Sequence, residues 1–350
     1  MEKRDIIVIG ASAGGIEALK RLIAPLPADL DVAIFIVWHM APTIRGMLPQ
    51  LLGRVTSMPI YHAQNGEPIQ FNRIYVAPPD HHMLLEEGRV RITRGPKENR
   101  FRPAIDPLFR SAALSYGNRV MGVILSGALD DGTAGLWTIK QQGGLALVQE
   151  PADAEVSSMP ESAIQRVAVD YVLPAEQLAA QLIELTRQSV LPASEVDSRE
   201  TQKANLEVRI AAQESDVAMD IFSFGTLSPY TCPECHGVLT MIKEGTLARF
   251  RCHTGHAYSA DTLLAAVTET IEDNLYNTLR SMDEAVILLN HMGDHHAEAN
   301  QPKLAAVYFQ KAQEAQSRSD LVRQAVQNHQ TLSQDILSEQ AEEVSDDNLP

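Results

Sequence analysis

The stretch Ile6-Ile-Val-Ile-Gly-Ala-Ser-Ala-Gly-Gly15 decides how this chain is read. An apolar run stops on glycine, presents one serine, Ser12, and passes into a helical pattern from Ile16 to Leu22. A buried strand, a glycine-rich turn and a helix open an α/β unit, and the geometry serves two chemistries. In a dinucleotide site the G-x-G-x-x-G frame brings backbone against a pyrophosphate, and an acid about 20 residues on holds the ribose. Here Ser12 takes the middle glycine's place, and the second apolar strand, Val32-Ala-Ile-Phe-Ile-Val37, ends on Trp38-His39 with no acid. The spacing Gly10-x-Ser12-x-Gly14 fits instead a sharp strand-to-helix turn that exposes a serine hydroxyl. Helix N–H groups beside it would face a developing oxyanion. A plain helix N-cap is the other use of a serine in this position.

A nucleophilic serine needs a base and an acid that orients it. His39 directly follows the second strand, and parallel strands bring their carboxyl ends to one rim. The next strong strand, Val120-Met-Gly-Val-Ile-Leu125, runs into Ser126-Gly-Ala-Leu-Asp-Asp131-Gly132, which offers Asp131 as the orienting acid and Asp130 close behind. Taken singly, His39 could be a satisfied core histidine and Asp131 a turn residue before glycine. Three such residues at three strand ends point together to a triad.

The chain order Ser, His, Asp departs from the Ser, Asp, His order of α/β-hydrolases. The blocks Val8-Ile-Gly-Ala-Ser12-Ala-Gly-Gly15, Val37-Trp-His39-Met40 and Leu125-Ser-Gly-Ala-Leu-Asp-Asp131-Gly-Thr-Ala-Gly-Leu136 resemble the three catalytic blocks of the chemotaxis protein-glutamate methylesterases, the CheB family. Tyr75-Val-Ala-Pro-Pro-Asp-His-His-Met83, Phe101-Arg-Pro-Ala-Ile-Asp-Pro-Leu-Phe-Arg-Ser-Ala112 and Ser158-Met-Pro-Glu-Ser-Ala163 are similar to segments that link them. The resemblance covers residues 4 to 190. It implies Ser12 as nucleophile, His39 as general base and Asp131 as orienter, acting on γ-glutamyl methyl esters of a methylated chemoreceptor or related signalling protein with release of methanol. Some members also deamidate glutamine. No cofactor is implied for this chemistry. The backbone N–H groups of Ala13 and Ala128 are the expected oxyanion donors.

Two departures from the family pattern stand out. Leu129 replaces a glycine in the turn before Asp131, which removes conformational freedom if the position uses a positive φ. Lost activity would make the chain a non-catalytic regulatory adaptor that keeps the esterase fold, the competing reading. The second departure is the start at Met1, five residues before the first strand, so the N-terminal receiver domain of many members is expected to be missing. Regulation would then come from another protein or from the C-terminal half.

The 350 residues, 45% of them hydrophobic, suit two or three domains. A leading strand this short is no signal-peptide core, and no apolar run approaches the ~18 residues of a membrane span, so a soluble, cytoplasmic protein without membrane insertion is expected. Residues 1–190 hold 18 Lys and Arg against 20 Asp and Glu, and the remainder 11 against 25. An acidic chain of this kind is a poor nucleic-acid binder. Within the balanced half, Arg89, Arg91, Arg94, Lys97, Arg100, Arg102 and Arg110 form a basic cluster suited either to docking acidic receptor helices or to simple solvation.

All three cysteines lie in the C-terminal half, as Cys232-Pro-Glu-Cys235 and Cys252-His-Thr-Gly-His256, with 16 residues between Cys235 and Cys252. Two knuckles around a hairpin suit a zinc ribbon, with short strands at Val238–Ile242 and Leu247–Arg251 flanking Lys243-Glu-Gly245-Thr. Cys232, Cys235, Cys252 and His256 are the expected ligands of a structural Zn2+, with His253 and His236 as alternative fourth ligands. This cassette looks like an extension found on some stand-alone CheB-type proteins.

From Ala260 onward an apolar stripe of Leu264, Val267, Ile271, Leu275, Leu279, Met282, Val286 and Leu289 predicts a helix broken at Gly293. A second, weaker helix follows over 303–337, and the hairpin packs on itself, on a helical partner or as a homodimer. The expected architecture is therefore a doubly wound, mostly parallel α/β esterase domain (1–190), a linker with helical tendency (191–225), a zinc-ribbon-like module (226–260), a helical hairpin (261–338) and a disordered acidic tail (339–350).

Overall fold

The computed structural model describes residues 3–39, 46–190, 197–214, 221–244, 247–330 and 332. The expected tail at 339–350, the hairpin tip at 245–246, Met40 and parts of the 191–225 stretch lie outside them.

The chain alternates strand and helix as the apolar runs require. β1 (Ile6–Ala11) is followed by α1 (Gly15–Ile23), β2 (Ala33–Trp38), α2 (Leu48–Leu52), β3 (Ile60–His62) and β4 (Arg73–Val76). A hairpin of β5 (His82–Glu86) and β6 (Arg89–Thr93) and the helix α3 (Ile105–Tyr116) precede β7 (Val120–Ile124). Then come α4 (Thr133–Gln141), β8 (Leu145–Gln149), α5 (Ser158–Arg166), β9 (Tyr171–Leu173) and α6 (Ala175–Arg187). Seven strands form one parallel sheet in the order β3-β4-β2-β1-β7-β8-β9. All six residues of β1 are buried, because the sheet is covered on both faces. Ile6 and Val8 point into one core with Ile105, Phe109 and Leu136, while Ile7 and Ile9 point into the other with Leu19, Leu22 and Leu182.

The register decides where the chemistry can lie. Gly10 is opposite Val37 in β2 and Ile124 in β7, so the residues after all three strands emerge on one rim. The strand order reverses at β1, and such a switch point leaves a crevice at the carboxyl ends.

Beyond α6 the expected linker is in large part a packed helix, α7 (Ser198–Ala211), capped by the Asp197 carboxylate on the Arg199 N–H at 2.8 Å. Its leucine and isoleucine face inward: Leu206 and Ile210 pack on Ile242, and Ala211 on Leu84. After the short α8 (Ile221–Phe224), four antiparallel strands follow in order: β10 (Thr226–Thr231), β11 (Val238–Glu244), β12 (Leu247–Cys252) and β13 (Ala257–Ser259). The expected pair of strands is thus the centre of a larger sheet.

The chain divides into two compact units, Met1–Leu263 with Ser338–Pro350, and Leu264–Leu337. In the second, α9 (Ala260–Glu298) and α10 (Pro302–Gln327) make the expected hairpin. Gly293 does not end α9. A Cβ there would lie 2.6 Å from the Phe309 ring, so the glycine makes room for an aromatic on the facing helix. The seam uses Leu279, Ala305, Ala312 and Ser319, while Val267, Ile271, Ile287 and Leu288 remain exposed. Among the described residues no helix is long and apolar enough to cross a membrane.

Candidate active site

Ser12 follows β1 in a turn made possible by Gly14, which caps α1 at φ 69. A Cβ at Gly14 would also lie 2.5 Å from that of Glu155, so neither backbone nor space admits another residue. The Ser12 N–H donates to the Ser126 carbonyl at 2.9 Å, tying the ends of β1 and β7 together. Trp38 Nε1 donates to the Ser12 carbonyl at 2.9 Å, and the His39 N–H to that of Ala11 at 3.1 Å. The backbones that carry Ser12 and His39 are therefore fixed before either side chain acts.

His39 Nδ1 lies 3.2 Å from Ser12 Oγ, and its Nε2 lies 2.7 Å from Asp131 Oδ2. The ring is stacked on Phe101, with centroids 3.8 Å apart and planes at 8°. Ser12 and His39 are 9% and 7% exposed, so each opens to solvent on one side only. Asp131 is 1% exposed and saturated with donors. Its Oδ2 accepts from the Ile105 N–H at 2.7 Å, and its Oδ1 from Asn99 Nδ2 at 2.8 Å and the Gly132 N–H at 2.9 Å. Burial raises the pKa of this carboxyl, but the hydrogen bond and charge of His39, with the Ile105 and Asn99 donors, outweigh it and hold the group below the ordinary aspartate value. An anionic Asp131 fixes the proton on Nε2 and leaves the Nδ1 lone pair facing the serine. Chymotrypsin-type triads use the two ring nitrogens the other way round.

Ser12 and His39 border a cavity of about 720 Å³ that also reaches Trp38, Phe101, Arg100 and Glu155, with Asp131 buried behind the imidazole. At its edge Ser126 Oγ donates to the Ala13 carbonyl at 2.8 Å and accepts from the Val156 N–H at 2.9 Å. On either side of Ala128, the Gly127 N–H goes to Val156 at 3.0 Å and the Leu129 N–H to Ser158 Oγ at 3.1 Å. Among the described residues neither the Ala13 nor the Ala128 N–H has a protein acceptor. The arrangement can take a proton from a serine hydroxyl and offers N–H groups to a nearby anion.

The sequence profile of the CheB methylesterases matches residues 7–182. The chain belongs to the CheB methylesterase family. A Leptospira interrogans protein whose name carries two activities, protein-glutamate methylesterase and protein-glutamine glutaminase, is 41% identical over 187 residues, 53% of this chain and 97% of its own. An Anaeromyxobacter dehalogenans protein-glutamate methylesterase/protein-glutamine glutaminase is 39% identical over 52% of this chain and 54% of its own. The crystal structure of the Thermotoga maritima CheB methylesterase catalytic domain superposes with a TM-score of 0.51 at 33% identity, covering 53% of this chain and all of that one. The protein is accordingly an esterase built on the CheB fold, with further helices and a small antiparallel sheet beyond the matched region.

Relative to the family turn, Leu129 has the conformation its glycine would use, at φ 64. A leucine in that region costs about 1–2 kcal/mol, and the fixed turn around it bears the cost. Leu129→Gly is therefore expected to leave the turn in place and kcat/KM within about threefold of wild type, since relieved strain offsets the lost side chain. A tenfold fall in steady-state rate would show instead that the leucine side chain itself shapes the cavity.

The basic cluster of this CheB domain is mostly engaged within the protein. Arg91 meets Glu86 and Glu214, Arg94 and Arg102 meet Asp80, and Lys97 meets Glu234 at 2.7 Å. Arg110 is 1% exposed and bonds Glu98 at 2.9 Å. Arg91, Arg94, Lys97, Arg102 and Arg110 are thus each paired with a local acid. Asn99 and Phe101, which touch Asp131 and His39, escaped the sequence reading.

Outside the family match, Cys232, Cys235, Cys252 and His256 converge, with their ligand atoms all within 4.8 Å of one another. Cys235 Sγ lies 3.6 Å from Cys252 Sγ, and His256 Nδ1 lies 3.7 Å from Cys232 Sγ and 3.6 Å from Cys252 Sγ. Bonds of about 2.3 Å to a tetrahedral zinc would set sulfur atoms about 3.8 Å apart, and this set fits. His253 is exposed against Gly237, and His236 is exposed at φ 61; neither joins the cluster.

Proposed function

We propose that the protein hydrolyses γ-glutamyl methyl esters, and the corresponding glutamine amides, on a methylated chemoreceptor or related signalling protein. The observation that carries the reading is the continuous Ser12–His39–Asp131 hydrogen-bond chain opening on one cavity. Ser12 Oγ attacks the ester carbonyl while its proton passes to His39 Nδ1, and Asp131 stabilises the imidazolium. The carbonyl oxygen, now an anion, is met by the Ala13 and Ala128 N–H groups. His39 returns the proton to the departing methoxide, methanol leaves, and a water activated by the same nitrogen cleaves the acyl-serine to restore Ser12 and a free glutamate. With an amide, ammonia departs in place of methanol.

The Cys232, Cys235 and Cys252 thiolates and His256 Nδ1 would hold Zn2+ in the C-terminal sheet. A closed four-ligand site contributes folding free energy and keeps no open position for chemistry.

Methanol release from methylated receptor fragments tests the activity. Ser12→Ala is expected to lower it by at least about 10³-fold. Equal release by both proteins would sink the assignment.

A further inference from the structure

Residues 98–101 form a tight turn in which the Phe101 N–H donates to Glu98 at 2.9 Å and the Glu98 N–H to Phe101 at 3.2 Å. Its two central residues, Asn99 and Arg100, are both left-handed, at φ 50 and 74. On one side this turn meets the triad: Asn99 Nδ2 donates to Asp131 and to Asp106 Oδ2 at 2.9 Å, and Phe101 stacks on His39. On the other side it meets the C-terminal sheet. The Asn99 N–H donates to the Ala257 carbonyl at 2.8 Å. Asn99 Oδ1 accepts from the Ser259 N–H at 3.1 Å and from Thr262 Oγ1 at 3.3 Å. The Glu98 carboxylate is held by Arg251 Nη2 at 2.8 Å and Arg249 Nη2 at 3.1 Å.

These C-terminal contacts originate beside the cysteine cluster. Cys252 ends β12, and its N–H donates to the His256 carbonyl at 3.0 Å, so the metal-ligand loop hands directly on to Ala257 in β13. Arg251, next to Cys252, also closes that loop by donating to Gly255 at 2.5 Å. A loop spread open would displace both Arg251 and the β13 carbonyl that orients Asn99. The ribbon's bonds to Glu98 and Asn99 reach the triad through the 98–101 turn, and β13 also meets the Asp131 loop itself, where Ser259 Oγ donates to Asp130 Oδ1 at 2.7 Å.

We infer that the ribbon is a buttress of the esterase site, in which Asn99 is a positioning residue: metal loading at Cys232, Cys235, Cys252 and His256 fixes β13, β13 fixes Asn99, and Asn99 with Phe101 fixes Asp131 and His39. This rests on the triad and metal assignments proposed above. Polar bonds set the ribbon face of the turn, and the Asn99 amide with the Phe101 ring sets the triad face, so the ribbon acts on geometry and adds no group of its own to the cavity.

The test uses the full chain and the rate at which a serine-directed phosphonate labels Ser12, with zinc content measured in parallel. Chelation of the wild type is expected to slow labelling about 10- to 100-fold, as a small misplacement of a catalytic group does. Asn99→Ala should slow it to a similar extent, and chelating Asn99→Ala should add little, because both changes break one chain of contacts. Thr262→Val, which removes one bond to Asn99 from the far side, should give a smaller loss in the same direction. The downfield proton resonance of the His39–Asp131 bond should vanish on chelation and in Asn99→Ala, which a merely structural defect elsewhere would not produce. Labelling indifferent to chelation, losses that multiply, or a chain that takes up no zinc would overturn the inference. A metal-loaded wild type that is never labelled would overturn the triad assignment beneath it.

Discussion

Asp131→Asn is expected to reduce esterase turnover by about 10⁴-fold, the loss that the same change causes in a serine protease triad, and to destabilise the fold as well. The reason lies in its surroundings. Oδ2 faces the Ile105 N–H as well as His39, and Oδ1 faces the Asn99 amide and the Gly132 N–H. An asparagine must place its NH2 against one of these donor sets. Turned toward His39, it forces the imidazole into the tautomer that carries the proton on Nδ1, where no lone pair is left for Ser12, and it opposes the Ile105 N–H. Turned the other way, it opposes two N–H groups at once. Either orientation leaves buried donors unmet, at about 1–3 kcal/mol each. The Asp131 pKa lies below the ordinary aspartate value, so its contribution is fully present above that value and disappears as pH falls through the depressed one. Phosphonate labelling and ester turnover measured with thermal melting separate the two effects. A loss of less than tenfold in both rates would show that Asp131 does not orient the base.

Much of this site can be read from the chain because strand ends are local features. Ile6–Ala11, Ala33–Trp38 and Val120–Ile124 are apolar runs with no competing periodicity, and in a parallel sheet each run's terminus marks the same rim. That rule brings Ser12, His39 and the pair Asp130 and Asp131 forward as candidates, and the resemblance to the family singles out Asp131. The cysteine cluster was equally legible, since ligand spacing is a property of sequence. Asn99 and Phe101 were not, although they contact Asp131 and His39 directly. They lie in a turn with two positive φ values whose bonding partner Ser259 is 160 residues away, and an asparagine followed by arginine is weak evidence for such a turn.

The packing of α7 and the burial of the ribbon's arginines are not legible in the sequence, and they share one cause. In Leu247-Ala-Arg-Phe-Arg the alternation of a two-sided strand sends Arg249 and Arg251 toward solvent, yet they are 3% and 1% exposed. On the face they occupy, Ile242 meets Leu206 and Ile210 of α7, and the rest of the contact is charged. It is closed by Glu98 before α3 and Glu207 on α7, and α7 itself carries a glutamate, 3% exposed, where a linker helix would show solvent. Patterns of hydrophobicity identify cores made of hydrocarbon; an interface made of buried ion pairs leaves no such pattern. The first compact unit, which runs through the ribbon to Leu263, is assembled on that interface.

Arg251→Met is accordingly expected to be among the most destabilising single changes in the chain, at roughly 3–5 kcal/mol, because removing one partner strands the charges of the others. Arg251 bonds Glu98 at 2.8 Å and Glu207 at close range, and Arg249 and Arg110 complete the cluster at 3.1 and 2.9 Å from their glutamates. Burial would raise the Glu98 carboxyl, but Arg251 and Arg110 hold it down at about 2. Two further carboxyls respond in the opposite direction. Burial, with Glu207 and Asp106 adding to it against Arg110, raises Glu244 to about 8; burial, with Asp131 and Glu98 adding to it against Arg110, raises Asp106 to about 7. A buried acid with a raised pKa stabilises the fold below its unfolded value, and that stability is lost as pH rises through the folded one. Melting temperature should therefore fall between about pH 5 and 8 in the wild type. It should fall more steeply in Arg251→Met, where one fewer cation faces the ionising pair. Arg251→Met combined with Glu207→Leu removes one charge of each sign and should recover part of the loss, since buried pairs replaced together cost little. A single variant that melts with the wild type, or a double variant no more stable than the single, would show that packing of the ribbon, and not this charge balance, joins it to the esterase sheet.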